Sequence, residues 1–332
     1  FAALFLLLKY VGEPKIRRAD APPDWKGAMY SSLGLTGLVF AFLQAGEYGF
    51  DQWHLWLVFM TGAILLTYFF FHERKVEFPM LKLRLFKIPT FSAAAVITFL
   101  IYGGLGVFMY FLPLNLVQNQ GYSSLQAGIA VLPFGGIIAV MAPLTGKWAD
   151  KKGSRLPLII GPLLTGMAFI GFTFFEQTAG WADFATTFLP FLALAGIGMG
   201  MTVVPVTSAI MGCVEENDSG AASGISNAMS RLSGVIALSI VGMVTLWFFE
   251  NFVLQSISDM TIESSEREIL MDEIAKFSGA QTDELSPEIR PRVERAFTKG
   301  FFAAFDRSCY TAAGLCWLGS ILTFFFIPKK NQ

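Results

Sequence analysis

Two histidines, three cysteines and one arginine inside an apolar stretch are the side chains of this 332-residue sequence whose chemistry first needs a place. His54 and His72 bracket a single apolar segment, so they lie near its opposite ends and cannot share a metal ion. Cys213, Cys309 and Cys316 form no CxxC pair. Cys309 and Cys316 stand seven apart on one predicted helix, about 10 Å of rise, too far for a disulfide, and read as packing thiols. No metal site, no cofactor and no catalytic residue is expected. A membrane enzyme would need a nucleophile, a base or metal ligands converging near the bilayer, and the sequence supplies none. Arg231 is the one charge within a predicted span. Residues 232–249 alone would cross about 27 Å, so Arg231 either snorkels at the edge or pairs with a carboxylate or a substrate, and Asn227 shares its face one turn earlier.

A second group sits in the turn GKWADKKGSR. Gly146 permits close helix approach, and Asp150 can accept from the free N–H groups of the next helix or pair with Arg155. Taken alone, the turn is a basic loop. Two further stretches have local meaning. In YSSLQAGIAVLPFG, Ser123 and Gln126 have capping-box spacing and Pro133 would bend the helix that follows. In SGAASGISNAMSRLSG, Asp218 or Ser219 can cap a helix, and the Gly220/Gly224 spacing predicts tight packing on a neighbour.

The elements that hold these residues are apolar helices. With 54% hydrophobic residues, 15% charged and a mean hydropathy of +0.56, the chain is too apolar for one water-soluble core. Its net charge of −1 averages basic turns with acidic ones and so gives no support for nucleic-acid binding, which would need a concentrated basic face. Eight complete spans are predicted: 26–46, 53–71, 91–116, 124–145, 156–175, 185–213, 221–249 and 308–327. The turns around 9–26, 72–90 and 146–155 are rich in Lys and Arg, whereas QAGEYGFDQWH, LNLVQNQGYS and EQTAGWADF contain neither. The first set is therefore expected in the cytosol and the second outside, with Lys329 and Lys330 cytosolic after the last span.

The opening run FAALFLLL would cross only about 12 Å and is followed, not preceded, by a basic stretch. It reads as the end of a truncated helix over residues 1–10 rather than as a signal peptide. A cytosolic linker, 11–25, leads to a two-span insert, 26–71, and a basic connector, 72–90. A six-span bundle, 91–327, follows and includes an outward loop, 250–306; residues 328–332 form a cytosolic tail. Spans 91–116 and 185–213 both carry glycine clusters ahead of a proline, as a pair of three-helix repeats would. In the outward loop, Ile289, Val293, Phe297, Phe301 and Phe305 form one apolar stripe on a charged helix. That helix is expected to lie on the membrane or cap the bundle, with contact to a partner protein the lesser alternative.

Gly146, Asp150, Lys151, Gly153 and Arg155 resemble the G-x-x-x-D-K/R-x-G-x-R/K cytosolic motif of the major facilitator superfamily. The two capped stretches and the inserted pair of spans resemble its fourteen-span drug:proton antiporter branch. The resemblance implies an all-α polytopic membrane protein with an incomplete major facilitator fold, two linker spans plus the C-terminal six-helix bundle. It implies proton-coupled export of lipophilic or amphipathic drugs by alternating access, from a bacterial inner membrane. A symporter of another solute on the same fold is the alternative, and a receptor or scaffold the alternative of another class. Expected partners are a lipophilic substrate, protons, membrane lipid and a periplasmic adaptor protein. The superfamily lines its cavity with the first helix of each repeat, which points to Thr98, Tyr102, Gly106, Met109 and Pro113, and to Met199, Thr202 and Val206. Such an uncharged, aromatic and methionine-lined wall suits bulky lipophilic or cationic compounds, although helix packing is the other reading of each residue. No predicted span holds an Asp or Glu away from its ends, so the proton-coupling acid is expected in an N-terminal half.

Overall fold

The computed structural model describes residues 24–48, 52–77, 79–258, 260, 264–277, 282 and 285–329. The expected helix tail over 1–10, most of the linker and the last residues of the tail lie outside the described residues. Among the described residues there are nine α-helices: α1 Trp25–Tyr48, α2 Trp53–Glu73, α3 Pro89–Gln118, α4 Ser124–Lys152, α5 Arg155–Gly171, α6 Phe188–Met211, α7 Ser219–Ser256, α8 Ser264–Lys276 and α9 Arg290–Phe326. No strand occurs among the described residues. Seven helices, α2 to α7 and α9, are long and apolar enough to cross a membrane; α1, expected as the eighth span, is not among them. Its 24 residues suffice in length, but Lys26, Ser31, Ser32, Thr36 and Gln44 dilute its apolar stretch.

Local sequence explains the helix ends. At the start of α4, the Gln126 amide donates to Ser123 Oγ at 3.2 Å and the Ser123 amide donates to Gln126 Oε1 at 2.9 Å, the reciprocal capping box. Its other end turns at Gly153, whose φ of +91° lies where a side chain would be strained. Successive spans run antiparallel. One end of the molecule gathers Asp24 with His72, the connector with Asp218, and Arg155 with the end of α9. At the opposite end, Gln120 clamps two turns together: its Oε1 accepts from the Thr178 amide at 2.9 Å and hydroxyl at 2.8 Å, while its amide donates to the Glu176 carbonyl.

The six-helix bundle is built from two crossed triplets, α3–α4–α5 and α6–α7–α9. The first helix of each packs on the second and third of the other: α3 on α7 and α9, α6 on α4 and α5. The glycine clusters make these crossings close. A Cβ on Gly103 or Gly106 would meet Ala237 or Gly234 of α7, and one on Gly104 would meet Ala312 and Cys316 of α9. In α6, Gly196 and Gly200 abut Ile137 and Met141 of α4, and Gly198 abuts Gly161 and Thr165 of α5. Glycine faces the second, third and second partner helix in both triplets, which is the inverted-repeat relation at the level of single residues.

Two spans exceed their expected lengths the most. Helix α7 has 38 residues and α9 has 37, each about 56 Å of helix, so both project beyond a hydrocarbon core of about 30 Å. The stripe Ile289–Phe305 is therefore no separate helix on the membrane surface. Apart from Ile289, which precedes it, the stripe is the first half of α9. Val293, Phe301 and Phe305 are buried, and the stripe packs against Phe249, Val253, Leu270 and Ile274 of α7 and α8. Burying one face on a neighbouring helix stabilises the extension more fully than half-immersion in headgroups would.

Candidate functional site

The charged turn joins α4 to α5 through two residues, Gly153 and Ser154. Gly146 does allow close approach, but toward α6: its Cβ would meet Val204 Cγ1 at 2.9 Å. Beside it, Thr145 Oγ1 donates to the Gly200 carbonyl at 2.7 Å, a second tie between α4 and α6. Arg155 turns from the helix start toward α9, donating to the Phe324 carbonyl at 2.5 Å with its guanidinium over the Phe324 ring. Asp150 and Lys151 are exposed on the last turn of α4. The turn thus connects three helices: α4, α5 and the end of α9.

A second charged cluster lies at the same end. The Asp218 side chain, 4% exposed, accepts from Lys82 and, at 2.7 Å, from Arg84. Lys82 also reaches the Asn217 carbonyl at 3.4 Å. Asp218 is therefore not a helix cap, since its carboxylate turns away from the α7 amides to bind the connector. The sequence carried a signal for this pairing. The turn GCVEENDSG holds three acids and no Lys or Arg on the end where every other turn is basic, so its carboxylates needed cations from elsewhere. A third cluster ends the insert. The His72 ring lies 2.8 Å from Asp24 Oδ1, and the Gly27 amide donates to the same oxygen at 2.9 Å. Burial alone would raise the Asp24 carboxyl, but the bonds from Gly27 and His72 and the charge on His72 outweigh it and hold Asp24 below the usual carboxylate range. Glu73, buried next to this pair, accepts from the Leu81 amide at 2.9 Å and so fastens the connector to α2.

The two candidate walls are placed differently. On α3, Tyr102, Met109 and Pro113 are half-buried, Thr98 is buried with its hydroxyl returned to the Ala94 carbonyl, and Gly106 is taken up by the α7 crossing. On α6, Met199, Thr202 and Val206 are all within 2% of complete burial, and Thr202 Oγ1 donates to the Gly198 carbonyl. Their face is occupied by packing between the triplets, so the eight residues do not form one open wall in this conformation. Asn227 and Arg231 are exposed on α7. Gly220 and Gly224 do not pack tightly as their spacing predicted: a Cβ on either would meet nothing within 4 Å.

The sequence model of the Major Facilitator Superfamily matches residues 3–238, well over half of the chain. The chain belongs to the Major Facilitator Superfamily. It is accordingly an integral membrane protein of a transporter family rather than an enzyme. The multidrug resistance protein Stp of Mycobacterium tuberculosis is 27% identical over 73% of this chain and 44% of its own length. The fatty acid resistance protein FarB of Neisseria gonorrhoeae is 29% identical over 72% of this chain and 46% of its own. The chain thus spans about half the length of the curated relatives it matches. A solved bacterial homologue of the human lysosomal transporter Spinster, inward-facing and unoccupied, aligns over 92% of this chain and 67% of its own, with 17% identity and a TM-score of 0.46.

Proposed function

We propose that this superfamily chain contributes the C-terminal bundle of a proton-coupled exporter of lipophilic or amphipathic compounds, working by alternating access in a bacterial inner membrane with its C-terminus cytosolic. The observation that carries the reading is the state of α4 and α7, the second helices of the two triplets. Gly128, Gly135 and Gly136 on α4, and Gly220, Gly224 and Gly242 on α7, have no atom within 4 Å of a built Cβ, and Leu132, Val140 and Val244 beside them are exposed. Small residues on an exposed apolar face let another helix bundle approach closely and slide. The names of the relatives, resistance to multiple drugs and to fatty acids, supply the substrate class. Rocking at the α4 and α7 faces would expose Tyr102, Met109 and Pro113 to the substrate path, and Met199, Thr202 and Val206 once the α6 crossing loosens. The turn with Gly146, Asp150, Lys151, Gly153 and Arg155 would restrain the cytosolic end. Three acids at span ends, Asp24, Glu73 and Asp218, are engaged in structural contacts, and the reading assigns the proton-coupling carboxylate to the part of the protein that this chain does not span.

Everted vesicles carrying the protein at the relatives' full length test the reading. An imposed pH gradient, acid inside, should drive uptake of a fluorescent lipophilic cation. Arg155→Gln should lower the initial rate about tenfold while leaving the protein folded. Uptake that ignores the gradient would overturn the assignment.

A further inference from the structure

Glu73, the last residue of α2, is 4% exposed, and its two carboxylate oxygens have different surroundings. Oε2 accepts from the Leu81 amide at 2.9 Å, whereas Oε1 is buried with no hydrogen-bond partner. An orphaned acceptor of this kind is costly to bury and needs a cause. Asp24 supplies one. Gly27, whose amide holds Asp24 Oδ1, has no side chain, and a Cβ there would meet Asp24 Oδ2 and, at 2.8 Å, Glu73 Oε1. The two carboxylates thus share one methyl-sized space. Both are pure acceptors when ionised, so they can bond to each other only through a proton.

We propose that Glu73 is a proton-binding site: as the pH at this end of the molecule falls, Oε1 takes up one proton from water and the new O–H donates to Asp24 Oδ2. The groups around the site select a proton over a larger cation. His72, whose ring lies 2.8 Å from Asp24 Oδ1, offers at most one positive charge against two carboxylates. Lys26 of α1 and Arg74, Lys75 and Glu77 after α2 are exposed, and Lys82 of the connector is committed to Asp218. Among the described residues, no three of His, Cys, Asp or Glu are arranged to hold a metal ion. Two like charges facing each other out of water disfavour one another, and a shared proton removes the conflict. The consequence reaches beyond the pair. Glu73 fastens the connector through Leu81, and Lys82 and Arg84 on that connector hold Asp218 at the start of α7. A line of polar contacts therefore runs from Asp24 through Glu73 to the bundle. With the proton bound, α1, α2 and the connector are tied together; without it, Asp24 and Glu73 repel and the Leu81 contact loosens. The clamp is made on the acid side and lost as pH rises. It goes beyond the transport reading and does not depend on it.

Hydrogen exchange followed by mass spectrometry on the protein at the relatives' full length tests this, with rates corrected for the intrinsic effect of pH. Protection of the peptide containing Leu81 should rise severalfold from mildly alkaline to mildly acidic solution. Glu73→Gln keeps an acceptor for the Leu81 amide and gives Asp24 a permanent N–H donor, so its protection should be high and independent of pH. His72→Gln should keep the parent's pH dependence. An infrared difference spectrum on acidification should show a protonated-carboxyl band in the parent that Glu73→Gln lacks. Protection in the parent that ignores pH, or a pH dependence that survives Glu73→Gln, would overturn the proposal. So would its disappearance in His72→Gln, which would assign the proton to the imidazole. Protection lowered by Glu73→Gln at every pH would also overturn it, leaving Glu73 a structural acceptor only.

Discussion

Asp218 is a carboxylate withdrawn from water and given two cations in exchange. Deleting one member of such a cluster leaves the others poorly compensated, at a cost of about 3–5 kcal/mol when all are buried. Here Arg84 is 62% exposed and can return to solvent, so Asp218→Ala should cost roughly 2 kcal/mol. A thermal melt in detergent measures it, and Lys82→Gln placed on top should cost much less than it does alone, because the two changes remove one interaction. Asp24 gives a pH dependence. Its folded value lies below its usual one, so the pair adds stability above the usual carboxylate range, and that stability is lost as pH falls through the lowered value. Asp24→Asn should therefore lower the melting temperature near neutrality and flatten the acid limb below about pH 4, where variant and parent converge.

At the scale of elements, glycines of identical type have opposite roles. Gly198→Ala would drive a Cβ to 2.6 Å from the Gly161 carbonyl and 2.4 Å from Thr165 Oγ1, both on α5, so it should destabilise by about 1–3 kcal/mol through forced separation of the helices. Gly135→Ala meets nothing and should be neutral or stabilising by up to about 1 kcal/mol, the helix-propensity gain. A pair of melts separates the two cases, and similar losses would refute the packing account. The two clusters were visible in the sequence as repeats because glycine before proline in an apolar span is conspicuous. The Gly220/Gly224 spacing misled for the same reason it attracts notice. Small-xxx-small describes a face that permits close approach, and whether a partner is there depends on the neighbouring chain. The apolar stripe of α9 was likewise correct as a periodicity and incomplete as a structure. Period-four hydrophobics demand burial, but they do not say whether lipid, α7 or α8 provides it.

For the whole molecule, the decisive expectation is the orientation of its ends. Lys151→Cys, at the α4–α5 turn, and Ser123→Cys, at the turn before α4, stand at opposite ends of one span. In a background without native cysteines, a membrane-impermeant thiol reagent should label Lys151→Cys only in everted vesicles and Ser123→Cys only in right-side-out ones. Labelling of both from one side would remove the topology on which transport rests.

What the amino acids determine by themselves is the set of elements: apolar runs of spanning length, their caps, the basic turns and the facilitator-type motif between α4 and α5. These are local because a helix in lipid satisfies its own backbone, so length, hydropathy and end chemistry suffice to define it. Partnership was decided only by the fold. The crossing of α3 with α7 and α9, the burial of Met199, Thr202 and Val206, the capture of Asp218 by Lys82 and Arg84, and the packing of the apolar stripe of α9 on α7 and α8 all join residues far apart in the chain. Lipid is as apolar as leucine, so hydrophobicity cannot say which helix faces which. Close packing and the pairing of charges make that choice, and both exist only once the helices have met.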